Sequence, residues 1–140
     1  MRVLFDTDVV LDLVLDREPF VEAAVSLFAL HDQGRIDGYV SGITLINVFY
    51  VTRKFKGMES ARRAVEELLT TLFVCYLDQF VLENACGLPF TDYEDATQHA
   101  SATANRLDVI VTRNLNDYKN ATLPVFSPID FLNQLKSENP

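Results

Sequence analysis

Three aspartates in this chain stand where carboxylates can do chemistry rather than pack. Asp6 follows the apolar run Val3-Leu4-Phe5, Asp95 lies within Asp92-Tyr93-Glu94-Asp95-Ala96, and Asp117 follows a later apolar run. Three carboxylates around one cleft are costly to ionise together without a cation, and oxygen-only ligands suit Mg²⁺ or Mn²⁺. Such ions activate water and stabilise the transition state of phosphodiester cleavage. The pattern therefore predicts a divalent-metal site formed by Asp6, Asp95 and Asp117.

Each of these acids also has a purely structural explanation, which the sequence leaves open. Asp6 can cap the helix that follows it, and Asp117 can be a surface residue in a turn. Asp95 is favoured in the first turn of a helix by the helix dipole whatever its function. The spacing Thr91-x-x-Glu94 predicts a capping box, so Thr91 and Glu94 are assigned no chemistry.

Other polar residues near the three aspartates receive weaker expectations. The Thr112 hydroxyl can orient a carboxylate or a water molecule. His99 lies four residues after Asp95 on an alanine-rich helix, and we expect it to be packed or solvated. Asp8 is interpreted as a helix cap, and Asp12 as a solvent-facing residue or a local hydrogen-bond acceptor.

Alternating strands and helices must position these residues. Short apolar runs predict five strands, at Val3–Phe5, Tyr39–Ser41, Phe73–Tyr76, Asp108–Thr112 and Pro124–Phe126. Helical patterns between them imply parallel pairing through right-handed crossovers, and hence an α/β three-layer sandwich with a central, mostly parallel sheet of about five strands. Pro19 is predicted in the first turn of the second helix, and Ser127-Pro128 at the start of a last helix ending near Leu135. Ligands of such sheets bind outside the carboxyl ends of the strands.

Composition indicates one folded domain. The 140 residues are 49% hydrophobic, which predicts a single domain over residues 1–135 with a C-terminal tail at 136–140. No apolar run approaches the roughly 20 residues of a membrane span, and the amino terminus lacks a secretory layout, so we expect a cytoplasmic protein without membrane contact. The two cysteines, Cys75 and Cys86, are expected to be unpaired thiols. A net charge of −8 works against general phosphate binding.

Three segments carry a resemblance to a known family. They are Phe5-Asp6-Thr7-Asp8-Val9-Val10-Leu11-Asp12, Asp92-Tyr93-Glu94-Asp95-Ala96, and Val111-Thr112-Arg113-Asn114-x-x-Asp117-Tyr118 followed by Pro124-Val125. Together they resemble the motifs of PIN-domain proteins, specifically the VapC-like toxin ribonucleases of bacterial toxin–antitoxin pairs. The resemblance covers nearly the whole chain, from Val3 to about Phe131.

The resemblance implies a divalent-metal endoribonuclease. By position, Asp6, Asp95 and Asp117 would bind Mg²⁺ or Mn²⁺, Thr112 would support the site, and Asn114 would lie close by. It also implies an RNA substrate, an antitoxin protein as partner and a homodimer. One departure matters, because Asn47 stands at the position where the family has a glutamate. Asp8, where the family usually has asparagine, adds a charge beside Asp6.

Two other functions remain open from the sequence. The loss of a charge at Asn47 motivates a catalytically impaired PIN domain that binds RNA or protein without cutting. The spacing Asp6-x-Asp8-x-Val10 also fits the nucleophile motif of haloacid-dehalogenase-type phosphotransferases. That chemistry requires a downstream lysine, and Lys119 is poorly placed for the role.

Overall fold

A parallel five-stranded sheet forms the centre of the molecule. The computed structural model describes residues 1–138. The strands are β1 (Arg2–Phe5), β2 (Asp37–Ser41), β3 (Phe73–Cys75), β4 (Val109–Val111) and β5 (Val125–Phe126). Their order across the sheet is β3-β2-β1-β4-β5, and every neighbouring pair is parallel. The predicted fold class, an α/β sandwich with a central parallel sheet, is confirmed.

Within residues 1–138, seven α-helices precede, join or follow the strands after β1 and cover both faces of the sheet. They are α1 (Thr7–Val14), α2 (Val21–Asp32), α3 (Gly42–Lys56), α4 (Met58–Thr71), α5 (Gln79–Cys86), α6 (Tyr93–Ala104) and α7 (Pro128–Glu138). Side chains alternate along the central strands, so Phe5 packs with α1, α2, α3, α4 and α7, whereas Leu4 packs with α6. Helices α5 and α6 pack together on that second face. The three predicted layers are present.

Strand register brings the first and fourth strands to the same edge. Phe5 of β1 is paired with Val111 of β4, and the Asp6 N–H donates to the Val111 carbonyl at 3.0 Å. Asp6 and Thr112, each one residue past its strand, therefore emerge side by side. Because the strands are parallel, both lie at the carboxyl edge where ligands of such sheets bind.

Two helix boundaries differ from the predicted ones. Helix α2 begins at Val21 with Phe20 as its N-cap, so Pro19 precedes the helix instead of opening its first turn. Helix α7 starts at Pro128 as predicted, and the Ser127 hydroxyl accepts the Asp130 N–H at 3.1 Å. It runs to Glu138, past the predicted end near Leu135. The rest of the predicted tail, residues 139–140, lies outside the described residues.

Cys75 is buried, Cys86 is exposed, and neither forms a disulfide. Within residues 1–138, no helix combines the length and the apolar character needed to cross a membrane.

Candidate functional site

Asp6 is the fixed centre of the site. The residue is 5% exposed, and its carboxylate accepts hydrogen bonds from Thr7, Thr112 and Gln98. Oδ1 accepts the Thr7 N–H at 2.8 Å, which makes Asp6 the N-cap of α1. Oδ2 accepts the hydroxyl of the fully buried Thr112 at 2.8 Å. Thr112 thus orients a carboxylate, as its position after β4 suggested, and Asp6 is both a helix cap and a site residue.

Gln98 of α6 is a second polar anchor for Asp6. Its side chain has no exposed surface. The amide Nε2 donates to Asp6 Oδ1 and to Thr44 Oγ1, both at 3.0 Å. Its carbonyl oxygen accepts the Ser41 hydroxyl. Because both the Nε2 group and the carbonyl oxygen of this amide are hydrogen-bonded, the side chain holds the Asp6 carboxylate in one orientation.

Sequence reasoning missed Gln98, although a signal was present. Gln98 follows Asp95 by three residues, so the two share one face of α6. A buried glutamine on the face that carries a candidate ligand is typical of a residue that positions the site.

Asp95 lies at the edge of the same cleft and is electrostatically coupled to the other acids. It is half-buried in the first turn of α6. Burial, followed by repulsion from Asp6, Asp92, Asp117 and Glu94, raises the pKa of Asp95 to about 7. The contributions of Asp6 and Asp117 to this pKa show that both carboxylates lie within electrostatic range of Asp95. Their mutual repulsion is what a bound cation would relieve.

Asp117 lies on a short 3₁₀ helix, Leu115–Tyr118, in the loop after β4. Its side chain is exposed, in contrast to that of Asp6. Asn114 caps this turn, and its backbone N–H donates to the Thr112 hydroxyl at 3.0 Å. Asn114 therefore lies close to the site, as expected. It contacts Thr112 through its backbone N–H and not through its side-chain amide.

The cap of α6 differs from the predicted capping box. Asp92, not Thr91, is the N-cap, and its Oδ1 accepts the Asp95 N–H at 3.0 Å. Glu94 is therefore free of the reciprocal cap bond, and its Oε1 instead accepts the Asn47 amide N–H at 2.6 Å. Burial, repulsion from Asp92 and repulsion from Asp6 raise the pKa of Glu94. The predicted capping box is therefore wrong, and Glu94 instead binds Asn47 within electrostatic range of Asp6.

Asp8 and Asp12 hold the loop that follows β4. Asp8 Oδ2 accepts the Arg113 N–H at 3.0 Å, so Asp8 is not the helix cap. Asp12 is 1% exposed, which contradicts the predicted solvent-facing position. Its two oxygens accept Arg113 Nε at 2.7 Å and Nη2 at 3.0 Å. This bidentate pair explains why a charged residue of α1 is buried.

His99 is packed, as expected. It is 2% exposed, and its Nε2 accepts the Thr122 backbone N–H at 3.0 Å. Burial lowers the pKa of His99, which agrees with a neutral ring that accepts at Nε2. His99 therefore anchors the segment before β5 and does not face the acidic cleft as a ligand.

The donor set fits a divalent cation, although the ligands are not closed around one. Within residues 1–138, no three His, Cys, Asp or Glu side chains form a ready-made metal-holding group. The acids around Asp6 nevertheless offer carboxylate oxygens, the donors that Mg²⁺ and Mn²⁺ prefer. Burial and repulsion from Asp6 raise the pKa of Asp8 to about 6, and its Oδ1 is buried without a hydrogen-bond partner. This concentration of partly buried negative charge favours a bound cation.

The chain is similar to a known family and to several solved structures. A family model described as PIN domain matches residues 2–116. The comparison with curated proteins gives no match. Among solved structures, a toxin–antitoxin complex from Klebsiella pneumoniae is similar at 26% identity, with a TM-score of 0.67, over 90% of this chain and 97% of that chain.

Two further structures share the fold at lower identity. DNA-bound VapBC from Salmonella typhimurium has a TM-score of 0.70 at 21% identity, over 91% of this chain and 98% of that chain. VapC20 from Mycobacterium tuberculosis, a toxin that cleaves the sarcin–ricin loop, has a TM-score of 0.63 at 16% identity, over 77% and 86% of the two chains.

Proposed function

The chain belongs to the PIN-domain family, and on that basis we propose that it is a divalent-metal-dependent endoribonuclease, the toxin of a toxin–antitoxin pair. The observation that carries the proposal is the buried Asp6 carboxylate at the carboxyl edge of the sheet, which Thr112 and Gln98 hold in place. Asp95 at the start of α6 and Asp117 after β4 are the further acids that we propose as ligands. The similarity to toxin–antitoxin complexes supports the biological role.

The residues divide into ligands and supports. Asp6, Asp95 and Asp117 would hold Mg²⁺ or Mn²⁺. When bound, the cation supplies the Lewis acidity that activates water and stabilises charge during phosphodiester hydrolysis. Thr112 and Gln98 fix the Asp6 carboxylate through bonds of 2.8 and 3.0 Å. Supports of this kind keep a ligand oriented before the substrate arrives.

The cleft also has candidates for proton transfer. Asp95 has a pKa of about 7 and Asp8 a pKa of about 6, so both exchange protons near neutral pH in the cation-free chain. A carboxylate with a pKa near the working pH is suited to accept a proton from attacking water. Asp8 accepts the Arg113 N–H through Oδ2, and its Oδ1 is buried without a hydrogen-bond partner.

A binding-only domain remains the second candidate, because Asn47 replaces the expected glutamate. The 2.6 Å bond between Asn47 and Glu94 counts against it. That bond places a carboxylate beside the amide, so the negative charge missing at position 47 is supplied from α6. We therefore favour a cutting enzyme.

The same reasoning extends to partners. The similar structures are toxins in complex with their antitoxins, which supports an antitoxin protein as the partner of this chain. A homodimer and a cytoplasmic location complete the proposal. Sedimentation of the purified chain tests the homodimer, since a single species of monomer mass at micromolar concentration would contradict it.

Cleavage of a panel of fluorescent single-stranded and hairpin RNAs tests the proposed function. Wild-type protein should cut at least one RNA with Mn²⁺ and none with excess EDTA. Asp6→Asn and Asp95→Asn should abolish cutting, whereas Asp37→Asn should retain it. Asp37 is a matched control, because it is an exposed aspartate at the opposite, amino-terminal end of β2. Equal cutting by all four proteins would contradict the proposal.

A further inference from the structure

An apolar recess lies beside the acidic cleft at the same end of the sheet. It has a volume of about 350 Å³, within the range of small-ligand clefts, about 300–1,000 Å³. The segment before α2 and the start of α7 form its walls, and Arg113 forms its floor toward the cleft. Its lining is Pro19, Phe20, Ala23, Arg113, Ser127, Pro128 and Ile129.

The recess is joined to the acidic site through consecutive residues. Arg113 follows Thr112, whose hydroxyl binds Asp6. The Arg113 backbone N–H binds Asp8 at 3.0 Å. An RNA strand whose phosphodiester is bound by the acids would therefore pass over Arg113 with a neighbouring nucleotide at the mouth of the recess.

Arg113 is held in a form that suits stacking rather than phosphate binding. Its Nε and Nη2 are engaged by the buried Asp12, so the guanidinium fork that grips phosphates is already used. Its charge is also balanced by Asp12 and Asp8. The Arg113 guanidinium is therefore a flat group that is held in place. Its carbon Cζ lies 3.8 Å from the centroid of the Phe20 ring.

Phe20 supplies the aromatic part of the recess. It is 39% exposed, so part of its ring is open to the recess although the Arg113 guanidinium covers one face. Stacking on aromatic rings and on guanidinium planes is how proteins bind unpaired bases. The Ser127 hydroxyl accepts one bond from the Asp130 N–H and retains its own proton to donate to the edge of a base.

We propose that the Phe20–Arg113 recess binds one unpaired nucleobase of the RNA strand that the acidic cleft cuts. The inference rests on the proposed ribonuclease function, and it adds that the substrate is single-stranded next to the scissile bond. The base is held by the apolar walls and by stacking on an outer face of the Phe20–Arg113 pair, and the flanking phosphate reaches the acids.

A unique tryptophan tests this inference, because the chain has none. Phe20→Trp places an indole in the recess, and Asp95→Asn in the same chain slows cutting during the titration. Single-stranded RNA should quench the indole in a saturable way, whereas an abasic strand of equal length and charge should not. Phe55→Trp in the same background is the control, since Phe55 is 67% exposed near the end of α3, and its fluorescence should not change.

Affinity gives a second readout. Phe20→Ala should weaken RNA binding about 5- to 100-fold, the loss expected for one base–aromatic stack, and Phe20→Tyr should restore it. If the wild type cuts an RNA that the Phe20→Trp, Asp95→Asn chain binds without quenching of its indole, the base recess is overturned and the nuclease assignment stands. A wild-type chain that neither binds nor cuts any RNA would overturn both.

Discussion

Asn47 of α3 donates its amide proton to Glu94 of α6 across a distance of 2.6 Å. The two residues belong to different helices and are 47 positions apart in sequence. Repulsion from Asp6 contributes to the raised pKa of Glu94, so this carboxylate is close to the centre of the site. The amide at position 47 and the acid at position 94 therefore act as a pair.

The first prediction exchanges the members of this pair. Glu94→Gln should lower Mn²⁺ affinity and RNA cleavage about 10- to 100-fold, the effect usual for groups that support a metal ligand. Asn47→Glu alone should also impair the protein, because two carboxylates would then face each other. The double variant Asn47→Glu with Glu94→Gln should recover most of the activity, since the charge is restored on α3.

Titration calorimetry with Mn²⁺ and initial cleavage rates measure these effects. Glu83→Gln is the control, since Glu83 is an exposed glutamate of α5 that binds only its neighbour Gln79. If Asn47→Glu alone raises cleavage above the wild-type rate, the chain is an impaired nuclease and the pairing argument is wrong.

The second prediction concerns the pH dependence of stability. Burial and neighbouring carboxylates raise the pKa of Asp95 from 3.8 to about 7. Because the folded state binds this proton more tightly than the unfolded state, the stabilising contribution is complete below pH 4 and is lost as the pH rises to 7. The metal-free chain should therefore lose stability across this window, and Asp95→Asn should lose less.

Urea unfolding at pH 5, 6, 7 and 8 measures this difference. Added Mn²⁺ should stabilise the wild type more at pH 8 than at pH 5, because the cation competes with the proton for the carboxylate. In Asp95→Asn a smaller loss of unfolding free energy with rising pH should remain, because the pKa of Asp8 is also raised, to about 6. If the free energies of unfolding of the wild type and Asp95→Asn change with pH in parallel, the raised pKa of Asp95 is contradicted.

The third prediction tests whether Gln98 positions the Asp6 carboxylate for metal binding or only stabilises the fold. Gln98→Leu keeps the size of the buried side chain but removes the donor to Asp6. It should lower stability by about 1–3 kcal/mol, since buried partners lose their bonds, and should lower Mn²⁺ affinity about 10-fold or more. A purely structural role would change unfolding in urea and leave the affinity of the folded protein for Mn²⁺ unchanged.

The fourth prediction tests the buried ion pair. Arg113→Ala would remove the two short bonds to the buried Asp12 carboxylate and leave it only the Arg17 guanidinium at 3.9 Å, and should destabilise the fold by about 1–3 kcal/mol. Arg113→Lys should recover only part of this, because an ammonium cannot form the bidentate pair. Arg63→Ala breaks an exposed pair with Glu59, and should cost less than about 1 kcal/mol in the same urea titration.

Much of the fold and the centre of the site could be predicted from local patterns. A buried apolar run followed by an aspartate places Asp6 at a strand end, and the alternation of strands with helices implies the parallel sheet. Thr112 and Asp117 follow from the same reasoning at β4. Their placement after the strands is confirmed, because it depends on residues adjacent in sequence, and their role as ligands stays a prediction.

The remaining features depend on contacts that are distant in sequence. Asp12 looked exposed, yet it is buried by Arg113, which lies 101 residues further along the chain. The cap of α6 was misplaced by one residue, because threonine and aspartate are both good N-caps and Thr91 precedes Asp92 directly. That shift also hid Glu94, whose partner Asn47 no local pattern reveals.

Binding of Mn²⁺ to the metal-free chain at pH 7.5 tests the central claim most directly. The loss of the free Mn²⁺ electron paramagnetic resonance signal measures it without any RNA. We expect saturable binding by the wild type and by Asp37→Asn, and at least about 10-fold weaker binding by Asp6→Asn and Asp95→Asn, each of which removes a ligand charge. Equal Mn²⁺ affinity in all four proteins would contradict a metal site formed by these converging aspartates.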